Sequence, residues 1–394
     1  MGLEAGSLTP EATSGDNSAI LFLLAENSHI GTMELLFGKG TPIDQDSNSL
    51  LHYAVRGGYT EMVNLLLSKS APTGAVNKEN STPLHLAAQN GHTGIAELLL
   101  EKGAPIKVIG PYGITRLRPA TIEARGPYGN TPLHIAAQEG HTGVVLLLLR
   151  KGASTKSTNE ANNAPLHLAA RGGHTGVVEV LLEQGAPVEP MGENGDTPLH
   201  LAARGDHAGV VQVLLGRGAP VEAMNAEKMT PLHSAAQEGH TGVVGVLLKR
   251  GASIEAIGGQ QGSTPLYFAA WKGHTRVVEL LLRKGASIDH RNQANNTPLH
   301  FAARNGHAGV VELLLGRGAP MEVQTKSGNT PLHAAASRGH TGVVGVLLGK
   351  GASTVAVDNN NKTPLQLAKE YHHTDTVELL NSQTTKVVVD GNRT

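Results

Sequence analysis

One thirteen-residue pattern returns along almost the whole chain. It is clearest in the stretch TPLHLAAQNGHTG, from Thr82 to Gly94, and successive copies lie 33 residues apart except for one step of 34 and one of 49. The first position of the pattern is occupied by Ser49, Thr82, Thr131, Ala164, Thr197, Thr230, Thr264, Thr297, Thr330 and Thr363. A fixed period of this length is typical of stacked supersecondary units. The fold of one unit therefore constrains the fold of the whole array.

The sequence of each repeat predicts two short helices and a finger that leads to the next repeat. Thr82 suits the N-cap of the first helix (helix A), Pro83 suits its first turn, and Gly91 suits its end. The next apolar run, IAELLLEK, predicts helix B, which Gly103 ends. The residues that follow are expected to form a β-hairpin finger that turns back toward the next Thr. Helices of about eight residues are unstable alone, so each unit must bury its apolar faces against its neighbours.

The turn two residues before each copy of the pattern carries residue types that tolerate a positive φ. From the third repeat onward, eight of these nine residues are Gly or Asn. They are Asn80, Gly129, Asn162, Gly195, Lys228, Gly262, Asn295, Gly328 and Asn361. Lys228 is the exception, and we expect it to strain its turn.

The sequence TPLH followed by AA, at a period of 33 residues, resembles the ankyrin repeat family. The resemblance implies an α-helical solenoid of about eleven helix-turn-helix repeats with β-hairpin fingers, covering residues 16–380. Residues 1–15 would then be an N-terminal extension and residues 381–394 a C-terminal tail without an assigned role.

The 49-residue step marks a degenerate insertion at residues 107–125. The sequence GPYG occurs twice in this region, and TRLR takes the place of TPLH. We interpret it as a repeat that has lost its two helices, and we expect a longer finger or an irregular loop. A sequence artefact is one alternative, and a functional insertion that presents Tyr112, Arg116, Arg118 and Tyr128 to a partner is another.

Composition argues against several classes of protein. The net charge is −1, from 32 basic and 33 acidic residues, so no general attraction to nucleic acid or to an anionic membrane is expected. The longest apolar runs are far shorter than the ~20 residues that span a bilayer. The chain has no cysteine and no basic region typical of a signal peptide, which favours an intracellular location, cytoplasmic or nuclear.

The 20 histidines are explained mostly by the repeat. Eight motif histidines occupy the fourth position of the pattern: His52, His85, His134, His167, His200, His233, His300 and His333. Ten turn histidines lie between the two helices: His29, His92, His141, His174, His207, His240, His274, His307, His340 and His373. Zinc-binding pairs on a helix are usually four residues apart, whereas these are seven apart. We predict hydrogen bonds from the motif histidines toward the helix cap and from the turn histidines within the inter-helix turn.

Catalysis is not indicated either. Thr82 and His85 are close in sequence, but the threonine serves as a cap and the pair recurs along the array without a third group to orient it. No phosphate-binding glycine motif is present. We therefore expect no enzymatic activity, no metal and no cofactor.

The positions that vary between repeats are the candidates for binding a partner. Two such positions follow the AA of helix A, and in ankyrin-like proteins they line the concave face. Trp271 is the only tryptophan, and Tyr267, in place of a motif histidine, precedes it by one helical turn. Phe268 next to it is expected in the core. The predicted partner-binding residues are Arg171, Arg204, Tyr267, Trp271, Lys272, Arg304, Asn305 and Arg338.

The sequence thus favours a monomeric, non-catalytic scaffold or adaptor that binds another protein, but neither nucleic acid nor a membrane. A cytoplasmic adaptor and a nuclear transcriptional co-regulator fit equally well. The alternative is a delivered effector or toxin, or the recognition array of a larger signalling protein.

Overall fold

The fold was obtained as a computed structural model, which describes residues 46–103, 105–109, 115–119 and 121–391, with side chains from 50 to 103 and from 121 to 382. The predicted N-terminal extension at residues 1–15 and all but the end of the first predicted repeat lie outside the described residues. The chain divides into two compact units, Met1–Pro190 and Met191–Thr394.

The described part of the first unit consists of four A–B helix pairs and one two-stranded sheet. Its helices are α1 (Asp46–Gly57), α2 (Thr60–Ser68), α3 (Pro83–Asn90), α4 (Thr93–Lys102), α5 (Pro132–Glu139), α6 (Thr142–Arg150), α7 (Pro165–Gly172) and α8 (Thr175–Glu183). Its strands are β1 (Pro105–Ile109) and β2 (Thr115–Pro119). A short 3₁₀ turn at Pro127–Gly129 precedes α5.

The second unit consists of six such pairs over its described residues. Its helices are α9 (Pro198–Arg204), α10 (Ala208–Gly216), α11 (Pro231–Glu238), α12 (Thr241–Lys249), α13 (Pro265–Lys272), α14 (Thr275–Arg283), α15 (Pro298–Arg304), α16 (Ala308–Gly316), α17 (Pro331–Ala336), α18 (Thr341–Gly349), α19 (Pro364–Glu370) and α20 (Thr374–Gly391). A 3₁₀ turn at Glu193–Gly195 leads into α9. None of the described helices is both long enough and apolar enough to span a membrane.

Helix A begins and ends where its sequence predicts. Thr82 has extended backbone angles (φ −80°, ψ 164°) and caps α3, and Pro83 follows at the first helical position. Gly91 ends the helix in the left-handed conformation, with φ 72°. The apolar residues of the helix, such as Leu84 and Ala87, are fully buried. Within each unit, helix A packs on the next helix A and helix B on the next helix B.

The fingers are hairpins built mainly from turns. In one example, the side-chain oxygen of Asn225 accepts hydrogen bonds from the backbone N–H groups of Glu227 (3.1 Å) and Met229 (2.9 Å). A backbone bond from Ala226 N–H to the Asn194 carbonyl (2.9 Å) joins this finger to the preceding one, and one from Gly259 N–H to the Glu227 carbonyl (3.1 Å) joins it to the following one. Side chains and neighbouring fingers satisfy the backbone, so a regular β-ladder is not needed.

All nine predicted turn residues have a positive φ, between 57° and 80°. Lys228 adopts a φ of 60° like its Asn and Gly counterparts. The expectation that this lysine occupies an unfavourable backbone conformation is therefore confirmed.

The 49-residue step contains a longer finger, one of the two outcomes expected. β1 and β2 pair antiparallel, with Pro105 opposite Pro119 and Ile109 opposite Thr115. Arg116 and Arg118 lie on β2, whereas Tyr112 falls outside the described residues. Tyr128 follows the finger and is 79% exposed.

The predicted boundary at residue 380 is not marked by a break in the helix. The last helix, α20, continues to Gly391 and so includes most of the residues assigned to the tail. The backbone of the last repeat and that of residues 381–391 therefore form one continuous helix.

Candidate functional site

The motif histidines join each repeat to the next one. In α3, the Nδ1 atom of His85 accepts hydrogen bonds from the backbone N–H of Thr82 (3.1 Å) and from its hydroxyl (2.7 Å). Nε2 then donates to the carbonyl of Asn130 (3.0 Å), at the end of the next finger. A ring with this set of partners carries its proton on Nε2 and is neutral. The predicted bond toward the helix cap is confirmed, and the bond to the next repeat is an addition.

The same forward bond is found at the other motif histidines. Nε2 donates from His52 to Ser81, from His134 to Asn163, from His167 to Pro190, from His200 to Met229, from His233 to Ser263, from His300 to Asn329 and from His333 to Lys362. Burial of the imidazoles lowers the pKa of His134, His233 and His300 to about 4. These rings are therefore neutral at pH 7.

The turn histidines bond in the opposite direction. Nε2 of His274 donates to the carbonyl of Gln237 (2.8 Å), in the last turn of the preceding helix A. The ring lies against Gly239 so closely that a Cβ there would be 2.5 Å from Nδ1 of His274. The predicted bond within the inter-helix turn is thus replaced by a bond between repeats. The C-terminal carbonyls of a helix lack partners inside it, which explains the direction.

Histidine nitrogens used in this way are poorly available to a metal. Among the described residues there is no group of three or more His, Cys, Asp or Glu side chains that could hold an ion. The histidines of the repeating pattern therefore connect successive repeats, and a candidate site is expected where the pattern changes.

The most prominent change is an aromatic cluster on α13 and α15. The ring centroid of Tyr267 lies 5.1 Å from that of Phe268 and 4.1 Å from that of Phe301. Trp271 lies 6.3 Å from Phe268, and Nζ of Lys272 is 4.7 Å from the centre of the indole. Phe268 and Phe301 are each only 8% exposed, so they form the base on which the partly exposed Tyr267 and Trp271 rest.

Tyr267 replaces a motif histidine, and the local cap is left incomplete. The buried hydroxyl of Thr264 has no hydrogen-bond partner among the described residues, because no imidazole is present to accept a hydrogen bond from it. Burial raises the pKa of Tyr267 to about 12, so its hydroxyl stays protonated. Sequences depart from their own framework mainly at strained or functional positions.

The cluster opens into a cavity of about 590 Å³. It is lined by Tyr267, Trp271, Phe301, Arg304, Asn305, Arg338 and His340. Five of the eight predicted partner-binding residues are thus brought together, and Lys272 lies beside them on the Trp271 ring. Phe301 and His340 were not among the predicted residues; the Phe in place of Leu in PLHFAAR was the available signal for the first.

The backbone of this site is held by the turn histidines of the following repeats. His307 donates to the carbonyl of Trp271 (2.9 Å), and His340 donates to the carbonyl of Arg304 (2.9 Å). The side-chain amide of Asn305 donates to the carbonyl of Phe301 (2.8 Å). The helix ends that carry Trp271, Arg304 and Asn305 are thus tied by hydrogen bonds, as a preorganised binding site requires.

Two predicted residues lie elsewhere. Arg204 forms an ion pair with Asp196 (2.8 Å), and the buried carboxylate of Asp196 also accepts a hydrogen bond from Asn225 (2.8 Å). Arg204 lines a separate cavity of about 240 Å³. Arg171 is an exposed residue of α7, in the first unit. Neither lines the cavity beside Trp271.

Comparison with known proteins identifies the family. The model for ankyrin repeats (3 copies) matches residues 18–109, 114–191, 187–258, 255–325 and 299–390. The chain belongs to the ankyrin repeat family. Its fold class is accordingly the α-helical ankyrin solenoid, and ankyrin repeats generally mediate protein–protein interactions.

Solved structures are also similar to this chain, and 563 chains among them match. One is the crystal structure of the human ASB11 ankyrin repeat domain, which is 33% identical in sequence with a TM-score of 0.53. The match covers 57% of this ankyrin repeat chain and 99% of the ASB11 chain. No curated protein matches the sequence.

Proposed function

We propose that this ankyrin repeat protein is a non-catalytic scaffold or adaptor that binds a partner protein through the second unit. The binding surface, termed the Trp271 surface, consists of Tyr267, Trp271, Lys272, Arg304, Asn305 and Arg338. The observation that carries the proposal is the cavity of about 590 Å³ that five of these residues help to line.

Residue types at the Trp271 surface are those that dominate protein interfaces. Trp, Tyr and Arg are enriched among the few interface residues whose truncation costs about 2 kcal/mol or more. Trp271, Lys272, Arg304, Asn305 and Arg338 lie at the positions that line the concave face in ankyrin-like proteins, and Tyr267 precedes Trp271 by one helical turn. The incomplete cap at Thr264 gives further support, since the chain keeps a tyrosine where histidine would complete the cap.

The partner is a protein, and the chain acts as a monomer inside the cell, either as a cytoplasmic adaptor or as a nuclear transcriptional co-regulator. Arg171 and Arg204 are left outside the Trp271 surface, because Arg204 already pairs with Asp196 and Arg171 belongs to the other unit.

The test is affinity purification with the tagged full chain. Proteins recovered with wild type are compared with those recovered with a Trp271→Ala, Arg304→Ala double variant. A Gln237→Ala variant is the control, since Gln237 occupies the same position as Trp271 one repeat earlier. We expect a specific protein to be recovered with wild type and the control but not with the double variant. Equal recovery with all three, at equal circular dichroism, would rule out the Trp271 surface.

A further inference from the structure

The Trp271 surface is locally basic. A second cavity of about 490 Å³ shares Arg304 and Arg338 with the first and is also lined by Lys326. No carboxylate is found among the described residues that line either cavity. Arg304 and Arg338 are both exposed, and neither has a carboxylate partner within the part of the chain that the structure describes.

Two carboxylates of the finger and helix that follow these repeats, Asp358 and Glu370, are engaged by other groups. Glu370 pairs with Lys362 (2.6 Å). Asp358 accepts hydrogen bonds from the backbone N–H groups of Asn360 and Lys362, each at 2.9 Å, as part of a finger turn. No ion pair therefore offsets the charge of Arg304 or Arg338 among the described residues.

The basic character does not extend along the unit. The smaller cavity beside Arg204 is lined by Asp196, Glu227 and Glu238. A continuous phosphate backbone would meet these carboxylates, and the balanced net charge of −1 also disfavours a polyanion or an anionic membrane. A short acidic ligand fits the restricted extent of the positive charge better.

The aromatic part of the cavity places a second requirement on the ligand. Tyr267, Trp271 and Phe301 form an apolar wall next to the two guanidinium groups. A ligand that fills the cavity needs a bulky apolar side chain beside its negative charge. Guanidinium groups bind carboxylates through paired hydrogen bonds, and an aromatic wall favours another planar apolar group.

We propose that the Trp271 surface binds an acidic peptide segment of the partner protein, with a Glu or Asp carboxylate on Arg304 and Arg338 and a neighbouring bulky apolar side chain against Trp271. This inference rests on the proposed function and specifies the chemistry of the partner. A carboxylate is favoured over a phosphate because it loses less hydration next to the aromatic wall.

The experiment uses the labelled full chain on an array of short peptides. One set carries two Glu residues flanking a Phe in varied surroundings; matched sets replace both Glu by Gln, or by phosphoserine. We expect binding to the Glu set to exceed binding to the Gln set by about tenfold at low ionic strength. Arg304→Ala and Arg338→Gln should each remove most of this preference, whereas Gln237→Ala should retain it.

Several outcomes would overturn the inference. They are equal binding to the Glu and Gln sets, no binding to either, preference for the phosphoserine set, and displacement of the Glu peptides by an oligonucleotide or by anionic vesicles. If Trp271→Ala still abolishes recovery of a cellular protein while Glu and Gln peptides bind alike, the proposed function stands and the acidic partner is wrong.

Discussion

Histidine performs two structural roles in this protein, and that of the motif histidine depends on a neutral ring. The motif histidine accepts at Nδ1 from the helix cap and donates at Nε2 to the following finger, as His134 does with Thr131 and Asn163. A second proton on Nδ1 would remove the acceptor and place a charge in a buried position. Protonation should therefore oppose folding.

Acid is expected to destabilise the array between pH 6.5 and about 4. His134, His233 and His300 have a folded-state pKa of about 4, against 6.5 when unfolded. Because the unfolded chain binds protons first, stability is complete above pH 6.5 and falls as the pH decreases toward 4. Each ring contributes about 3 kcal/mol to this loss. Urea unfolding at a series of pH values measures it.

A His300→Gln variant provides the matched control for the acid effect. Gln366 already occupies the motif position in α19, where its side-chain oxygen accepts from the N–H of Thr363 (2.8 Å) without a titrating group. His300→Gln should therefore lose less stability between pH 6.5 and 4 than the wild type does. An identical pH dependence would show that His300 does not contribute.

Replacing Lys228 is expected to stabilise the chain. Its φ of 60° is unfavourable for lysine but tolerated by asparagine, which stands at four of the equivalent turns. Lys228→Asn should raise the free energy of unfolding by about 0.5–1 kcal/mol, measured by urea denaturation. Lys228→Ala, which keeps the strain, should not. A gain of equal size in both variants would point to the lysine charge instead.

At the level of the helix, single substitutions at the N-cap of helix A are expected to change the stability of the chain. In α7 the cap is Ala164, whose N–H still donates to Nδ1 of His167 (3.0 Å) but which has no hydroxyl. Ala164→Thr should supply the missing hydrogen bonds and stabilise the chain by about 1 kcal/mol. The reverse change at an intact cap, Thr131→Ala, should cost a similar amount. Both are measured by thermal unfolding, and a destabilising Ala164→Thr would contradict this account.

Tyr267→His should complete the cap of α13 and at the same time damage the Trp271 surface. The new imidazole would accept from Thr264, whose hydroxyl lacks a partner. We expect a gain of about 1 kcal/mol in stability, from chemical denaturation, together with weaker recovery of the partner. A variant that is no more stable than wild type would show that the Tyr267 packing compensates for the missing cap.

In the whole molecule, stability is expected to be local because each repeat touches only its neighbours. Leu133 in α5 is fully buried, so Leu133→Ala should destabilise its surroundings by about 2–5 kcal/mol. Hydrogen exchange should accelerate mainly in α3, α5 and α7 and hardly at all in α15 or α17. Leu299→Ala, in α15, should give the converse pattern. Uniform acceleration along the chain would mean that the array unfolds as one cooperative unit.

Much of this protein is determined by local sequence. The caps, the glycines that end helix A and the nine positive-φ turns follow from interactions within a few residues, which a repeated sequence displays many times. The aromatic cluster was partly visible for the same reason, because Tyr267, Phe268 and Trp271 lie on one helix.

The partners of these residues were decided only by tertiary structure. Nothing in the sequence pairs Nε2 of His85 with a carbonyl 45 residues away, or withdraws Arg204 from a binding surface by an ion pair with Asp196. Arg304 and Arg338 come from different repeats and share a cavity only because their helices stack. Sequence periodicity specifies which face of its helix each residue occupies. Hydrogen-bond and charge partners, in contrast, depend on how far apart neighbouring repeats lie in space.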